Sequence, residues 1–211
     1  MREDANLLVP GAGSFFVLGS IITTAEYSVS TPVADGCGAC TRCLDGCPTG
    51  AIIAPGVVDA NRCLAWLVQQ AGSFPPEYRE ALGDRLYGCD DCQEVCPPSV
   101  RLGNRQLVDA DALAAASGQS EVQAWVDVVD LLEADDDTLL DRHGRWYIAG
   151  RDPSWLRRNA LIVLGNTAEP NNTAATRVLE RYRAHPDALL REHADWAHRR
   201  IAERAANPTQ P

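Results

Sequence analysis

All eight cysteines of this 211-residue chain lie within sixty consecutive residues, in two runs of regular spacing. A complete Cys-x2-Cys-x2-Cys-x3-Cys-Pro run begins at Cys37. A shorter Cys-x2-Cys-x3-Cys-Pro run begins at Cys89, with Leu86 in the place where a complete run would carry its first cysteine. Cys63 lies alone between the two runs. Thiols at such spacing constrain the fold because the members of each Cys-x2-Cys pair must reach a shared centre.

The complete run has the spacing of ligands to paired [4Fe–4S] clusters, in which the fourth cysteine ligates the other cluster. Applying this rule to both runs uses seven thiolates, and Cys63 is the remaining ligand that completes the count. The sequence therefore predicts two clusters: cluster 1 on Cys37, Cys40, Cys43 and Cys96, and cluster 2 on Cys47, Cys63, Cys89 and Cys92.

Two other uses of eight cysteines compete with this prediction. An even count permits a disulfide framework, but thiols inside Cys-Pro turns cannot all pair externally, and no secretory signal is recognisable. Zinc is the stronger alternative, because Cys-x2-Cys pairs suit tetrahedral Zn²⁺. Triple runs that end in Cys-Pro favour iron–sulfur clusters, and a zinc-stabilised interaction module remains the alternative.

Composition and charge restrict the class of protein further. No apolar stretch reaches the roughly 18 residues of a membrane span, so we expect a cytoplasmic protein with no membrane partner. Residues 1–141 carry 7 arginines against 22 acidic residues, whereas residues 142–211 carry 12 against 7. The acidic part suits contact with a redox partner and the arginine-rich end suits phosphate, although two solvated faces explain the same counts.

The chain divides into four predicted parts within an α+β, predominantly helical fold class. Residues 1–30 are too few to bury their own apolar side chains. Residues 31–105, rich in glycine and proline, are predicted to form a two-cluster ferredoxin-like domain stabilised by its clusters. Residues 106–206 are predicted to be helical, with a Leu-Arg-x-x-Ala motif repeated 34 residues apart, as in HEAT-like helix pairs or an ordinary bundle. Residues 207–211 are predicted to be a disordered tail.

Local patterns predict individual helices in the third part. Asp135 and Asp152 are predicted N-caps of two of them. All four histidines lie in this region, and we expect them to be solvated rather than metal-bound, because His193 and His198 are five residues apart and diverge around a helix. Another predicted helix presents one apolar face made of Val122, Trp125, Val126, Val129 and Leu132.

The combined motifs resemble the epoxyqueuosine reductase family. The resemblance lies in the complete run from Cys37, continued by Pro-Thr-Gly-Ala-Ile, and in Tyr87-Gly-Cys-Asp-Asp-Cys-Gln-x-Val-Cys-Pro. It extends to Asp59-x-x-Arg-Cys-Leu and Gly13-Ser-Phe-Phe-x-Leu-Gly, and to the Leu156-Arg-Arg-Asn-Ala segment. Members of that family carry two [4Fe–4S] clusters and bind cobalamin. They catalyse the last step in the synthesis of queuosine in tRNA.

The resemblance implies cofactors, partners and further site residues. The clusters would pass electrons to cobalamin for the reduction of epoxyqueuosine to queuosine, and an electron donor protein would supply them. The helical tail would hold the tRNA anticodon stem-loop. The resemblance places Asp90, Asp91 and Ala65 near the corrin and Leu18 on its other side. It makes Arg157, Arg158 and Asn159 candidates near RNA, with local pairing or capping of these three as the alternative.

This chain also departs from the family pattern. Only 36 residues precede Cys37, so residues 1–30 resemble a remnant of the family's cobalamin domain, and no residue inherits the catalytic proton donor. The rest of that domain would be encoded separately if the gene is split, or upstream if this sequence is a fragment. The sequences that follow Cys63 and Cys96 also differ from the family's. A stand-alone ferredoxin-like electron carrier without a tRNA substrate is therefore the alternative function.

Overall fold

The computed structural model describes residues 7–16, 18–34, 36–106 and 125–207. These residues form mainly helices and one two-stranded antiparallel sheet, so the prediction of a predominantly helical chain with some strand is confirmed. Within these ranges, no helix has the length and apolar character needed to cross a membrane. The strands are β1 (Ile52–Ala54) and β2 (Val57–Val58). The helices are α1 (Arg42–Asp45), α2 (Leu64–Leu67), α3 (Arg79–Leu82), α4 (Asp91–Glu94), α5 (Pro97–Gln106), α6 (Val128–Glu133), α7 (Asp136–His143), α8 (Ser154–Thr167), α9 (Thr173–Arg183) and α10 (Ala188–Ala206).

The chain folds as two compact units. Unit 1 comprises Met1–Ala60 and Asp90–Glu121, and unit 2 comprises Asn61–Cys89 and Val122–Pro211. Each unit is therefore built from two separate stretches of sequence. The four parts predicted from the sequence have other boundaries and stay predictions.

Unit 1 contains two turns of nearly the same backbone geometry, one for each cysteine run. Thr41 precedes α1 with φ −123° and ψ 9°, and Asp90 precedes α4 with φ −117° and ψ 10°. The turns also end alike, at Gly46 (φ −83°, ψ −5°) and Val95 (φ −85°, ψ −6°). α1 packs against α4. The two cysteine runs thus form a structural repeat in which corresponding cysteines occupy corresponding positions.

α8 is the central helix of unit 2. Ten consecutive residues of it, from Leu156 to Gly165, are buried, and it packs against α10, α6 and α3. The Asp152 carboxylate accepts the backbone N–H of Ser154 at 2.9 Å, which confirms the predicted start of this helix. The Asp135 carboxylate likewise accepts the N–H of Thr138 at 2.8 Å and caps α7 as predicted.

The repeated Leu-Arg-x-x-Ala motif marks the contact between α8 and α10. The leucine and alanine of both copies are at most 1% exposed: Leu156, Ala160, Leu190 and Ala194. Gly165 lets the two helices approach closely, because a methyl group at this position would lie 2.8 Å from the Ala197 Cα. The motif is therefore a packing signal, and a HEAT-like arrangement of the helices stays a prediction.

The helix predicted around residues 122–132 begins later than the apolar spacing indicates. Val122 lies outside the described residues, and Trp125, 79% exposed, precedes α6. The Asp127 carboxylate accepts the backbone N–H groups of Val129 and Asp130 at 2.9 and 3.1 Å. This cap starts α6 at Val128 and leaves Trp125 outside it.

The prediction that all four histidines are solvated is wrong for His193, which is fully buried. Its Nε2 accepts the Phe74 N–H at 3.3 Å, and its Nδ1 lies 2.8 Å from the Leu189 carbonyl oxygen, to which it must donate. These bonds define a neutral ring, since a second ring proton would displace the Phe74 N–H. Burial, together with the nearby Arg79 guanidinium, lowers the pKa of His193 to about 4. The Glu192 carboxylate opposes this shift from 3.0 Å, but it also pairs with Arg79.

We expect the free energy of unfolding to fall by roughly 2 kcal/mol between pH 7 and pH 5 because of His193. The unfolded chain protonates this ring near the ordinary pKa of 6.5, whereas the folded chain resists protonation until about pH 4. The folded pKa is depressed, so stability is present above pH 6.5 and is lost as the pH falls. Urea unfolding at the two pH values measures this difference. His193→Gln should remove it and His198→Gln, on an exposed ring, should preserve it; equal profiles for both variants would contradict the assignment.

Candidate iron–sulfur site

Four cysteines of unit 1 line one cavity of about 220 Å³: Cys37, Cys40, Cys43 and Cys96. These are the four residues that the sequence assigns to cluster 1. α1 carries Cys43, and Cys96 directly precedes α5. Cys96 is buried at 6% exposure, whereas Cys40 is exposed. The fold thus brings the last cysteine of the second run beside the first three of the complete run, as the spacing rule requires.

The cavity suits an iron–sulfur group. Each thiolate of a four-cysteine cluster binds a different iron and so stands on its own side of the group, whereas four zinc ligands converge on one atom. All four cysteines line this one cavity. Among the residues that the structure describes, no three His, Cys, Asp or Glu side chains are placed to hold a single metal ion.

The electrostatics of this cavity combine thiols with cations. Burial raises the pKa of Cys43, and the neighbouring Cys40 and Cys96 raise it further. Arg42 and Arg101 line the same cavity. Unit 1 carries only four arginines against twelve acidic residues, so two of its few cations lie beside the predicted cluster. The sequence analysis did not identify them, since they are 59 positions apart and belong to no recognisable motif.

Cys47 has the surroundings of a stabilised thiolate. Its Sγ accepts the Ala51 backbone N–H at 3.2 Å and lies 3.7 Å from the Thr49 hydroxyl. Burial acts to raise the pKa of Cys47, but backbone N–H groups of the following turn outweigh it and lower this pKa. Hydrogen bonds to sulfur are one means by which proteins tune a cluster's potential. In the structural repeat, Cys47 occupies the position that Cys96 has in the second run.

The cysteines predicted for cluster 2 belong to both units. Cys47 and Cys92 are in unit 1, whereas Cys63 and Cys89 are in unit 2. All four are half-buried. Leu86, which replaces the missing cysteine of the second run, is 9% exposed within the core of unit 2. The composition of cluster 2 therefore stays a prediction from the sequence and from the repeat.

The residues predicted near cobalamin are at least partly accessible. Leu18 is 69% exposed, and Asp90 is exposed and accepts a hydrogen bond from the Gln93 amide at 2.7 Å. Asp91 and Ala65 are half-buried. Ala65 belongs to unit 2 and the other three to unit 1. Contact of these four residues with cobalamin stays a prediction.

Two of the three residues predicted near tRNA have their side chains inside unit 2. The Arg158 guanidinium is fully buried and donates to the Gln70 and Gly72 carbonyl oxygens at 2.9 and 2.5 Å. The Asn159 amide is also fully buried and donates to the Val68 carbonyl oxygen at 2.9 Å. Side chains placed in this way have no donor left for a phosphate. In this structure Arg158 and Asn159 therefore pair locally, which the sequence analysis gave as the alternative to a position near RNA.

Arg157 is also engaged within unit 2. Its side chain is 10% exposed, forms a 2.5 Å ion pair with Asp136 and donates to the Ala134 carbonyl oxygen at 2.9 Å. This pairing joins α8 to the start of α7. Contact of Arg157 with tRNA stays a prediction.

The two Cys-Pro turns form a structural repeat, and four cysteines line one cavity. This arrangement is typical of one class of protein, the double-cluster iron–sulfur domains. Residues 36–99 match the family model described as a 4Fe-4S double cluster binding domain. Sequence comparison then identifies the relatives of the whole chain. It is 38% identical over 195 residues to an epoxyqueuosine reductase of Alicycliphilus denitrificans and 36% identical over 199 residues to that of Vibrio cholerae. These matches cover 88% and 94% of this chain but 51% of each relative.

Solved structures lead to the same family. An epoxyqueuosine reductase crystallised with a tRNA-Tyr stem loop modified with epoxyqueuosine superposes with a TM-score of 0.63 at 29% identity. The superposition covers 85% of this chain and 45% of that protein. The predicted relationship to epoxyqueuosine reductases is thus confirmed, and the chain spans about half the length of the relatives it matches.

Proposed function

We propose that this chain is the iron–sulfur part of an epoxyqueuosine reductase. In this role, cluster 1 and cluster 2 pass electrons to cobalamin, and epoxyqueuosine in tRNA is reduced to queuosine. The observation that carries the proposal is the relationship of about nine tenths of the chain to enzymes of that name. The match to a double-cluster domain over the cysteine region supports the electron-transfer part.

The chemistry of the reaction agrees with two one-electron centres. Removal of an epoxide oxygen as water to leave an alkene consumes two electrons and two protons. The eight cysteines would hold two clusters that each transfer one electron at a time. Cobalamin, when bound, would supply a low-valent cobalt for this reaction. The side chains of Leu18, Ala65, Asp90 and Asp91 are the candidates to position it.

The exposed apolar side chains in the first part of the chain support a role in a cobalamin-binding domain. Ile21, Ile22 and Val29 are each more than 90% exposed. Soluble proteins rarely leave neighbouring large apolar side chains in water without a partner surface. We infer that residues 1–30 pack against the remainder of a cobalamin-binding domain. Residues 31–105 would form the cluster domain, and residues 106–206 a HEAT-like domain that holds the tRNA.

Reconstitution tests this proposal. The chain, loaded with iron and sulfide, is combined with a polypeptide that supplies the half of the relatives it does not match, together with cobalamin, a strong reductant and epoxyqueuosine tRNA. We expect queuosine, detected by mass spectrometry of nucleosides, only in the complete mixture. Unchanged tRNA in the complete mixture would contradict the proposal.

The alternative function gives a different result in a simpler experiment. A stand-alone ferredoxin-like carrier would show reversible reduction of both clusters and no affinity for tRNA. The proposed reductase part binds tRNA with an affinity that falls steeply as salt increases, because phosphate contacts release counterions. Binding at low salt with such a slope favours the reductase, and its absence favours the carrier.

A further inference from the structure

The end of α7 and the connection from it to α8 form an arginine-rich segment with no acidic residue. Residues 142–151, here called the basic segment, read Arg-His-Gly-Arg-Trp-Tyr-Ile-Ala-Gly-Arg. Arg142, Arg145 and Arg151 are all exposed. Tyr147, between them in sequence, is 65% exposed. Three cations and an aromatic ring thus face solvent within ten residues of chain.

The arginines of the basic segment differ from those arginines of unit 2 that pair with acidic side chains. Arg157, Arg177, Arg183 and Arg200 each pair with a carboxylate at 2.5–2.9 Å. In the described part of the chain, Arg142, Arg145 and Arg151 form no ion pair with Asp or Glu. The positive charge of these three arginines is therefore not neutralised by an ion pair within the described residues.

Aromatic packing fixes the basic segment on unit 2. The Trp146 ring stacks on Tyr87 and on His143, each at 4.8 Å between ring centres. The Tyr87 hydroxyl donates to the Tyr147 carbonyl oxygen at 2.8 Å. The backbone around Tyr147 is thus held in place, while its side chain extends into solvent. An exposed aromatic ring on a fixed backbone loses little conformational entropy when it binds a planar ligand.

The backbone of the basic segment is strained at Arg151. Its φ of +54° makes it the only residue other than glycine with positive φ among the described residues. The Arg151 guanidinium donates to the Gly144 carbonyl oxygen at 3.2 Å, so its side chain extends back toward the start of the segment. The Arg145 guanidinium donates to the Arg142 carbonyl oxygen at 3.3 Å. These two bonds gather the three arginines around the same turn. Strained backbone of this kind is most common at functional sites.

We propose that the basic segment binds the unpaired loop of an RNA, with Tyr147 stacking on a base and Arg142, Arg145 and Arg151 contacting phosphates. The guanidinium group of arginine can donate two parallel hydrogen bonds to phosphate oxygens, and aromatic rings stack on bases of single-stranded RNA. This inference rests on the proposed function for its substrate class, tRNA, and assigns the contact to residues outside the Leu-Arg-Arg-Asn motif. Further support comes from the relative that was crystallised with a tRNA stem loop.

Fluorescence anisotropy with a labelled anticodon stem-loop RNA and the full iron–sulfur-loaded chain tests the site. Arg142→Gln, Arg145→Gln and Arg151→Gln should each weaken binding about threefold to tenfold and reduce the slope of log affinity against log salt by about one. Tyr147→Ala should weaken binding at least fivefold, on the order of one lost base stack, and Tyr147→Phe should retain affinity. Arg177→Gln and Arg183→Gln remove exposed arginines that pair with carboxylates and should change affinity less than twofold.

The controls separate this inference from the proposed function. Thermal melting of every variant identifies any loss of binding that is due to unfolding. If the wild-type chain shows no affinity for the stem loop, the tRNA part of the proposed function fails. If the wild type binds and the triple arginine variant binds equally well, the function stands and this site is wrong. A fully paired RNA of the same length should lose nothing on Tyr147→Ala; an equal loss for both RNAs would overturn the stacking role.

Discussion

Replacing Cys63 by alanine is expected to halve the iron content of the chain, from about eight to about four atoms, and to leave cluster 1 intact. Cys63 is assigned to cluster 2 because the two cysteine runs supply only seven ligands. Cluster 1 has its four thiols around one cavity of unit 1, and Cys63 is in unit 2. Iron and acid-labile sulfide analysis, with electron paramagnetic resonance of the reduced protein, measures the loss of one cluster signal.

A second variant tests why Cys63 is needed. Adding Leu86→Cys to Cys63→Ala recreates the complete cysteine run in sequence. We expect no recovery of iron, because Leu86 packs in the core of unit 2 and its carbonyl oxygen accepts the Asn159 amide at 3.2 Å. Full iron content in Cys63→Ala alone would show that another group is the eighth ligand. Recovery in the double variant would show that the second run acts as an ordinary ferredoxin run.

Arg158→Ala is expected to lower the free energy of unfolding of unit 2 by about 3–5 kcal/mol. The guanidinium donates to the carbonyl oxygens of Gln70, Gly72 and Leu67, and to the Asn159 side-chain oxygen. Alanine would leave these buried acceptors without a donor and open a cavity next to Phe74, over which the guanidinium lies at 5.7 Å. Burial lowers the pKa of Arg158 to about 10, so the side chain remains charged at neutral pH.

Urea unfolding followed by far-ultraviolet circular dichroism measures this effect. Arg158→Lys should recover little of the loss, because an ammonium group cannot donate to carbonyl oxygens on several sides as the guanidinium does. Arg199→Ala, at an exposed position of α10, should change stability by less than about 0.5 kcal/mol. A loss below about 1 kcal/mol for Arg158→Ala would contradict the structural role described for this residue.

The effects expected for Cys63→Ala and Arg158→Ala differ in how far the sequence could predict them. The cysteine allocation was made from the sequence alone, because the members of a Cys-x2-Cys pair share a cluster, the cysteine before each proline ligates the other cluster, and Cys63 completes the count. The burial of Arg158 depends on a segment about 90 residues earlier, which supplies the carbonyl oxygens. The family resemblance made Arg158 a candidate near RNA, with local pairing as the alternative, and arginine is seldom fully buried.

Other differences between prediction and structure have local causes. α9 was not predicted as a separate helix, although the sequence contains two signals for it. Asn172 is a suitable N-cap, and the spacing of Val178, Leu179 and Tyr182 predicts one buried helix face. His193 was expected in solvent because nothing in its sequence neighbourhood shows that the Phe74 N–H packs against it. The basic segment can be read from the sequence, whereas the exposure of its three arginines and their lack of an ion pair within the described residues are seen only in the structure.

The most direct test of the central claim is the metal and sulfide content of the complete chain, purified without oxygen. Two four-cysteine clusters predict about eight iron atoms and eight acid-labile sulfides per chain, a brown colour and a paramagnetic signal after reduction. A colourless protein that holds zinc and no labile sulfide would contradict the assignment of all eight cysteines.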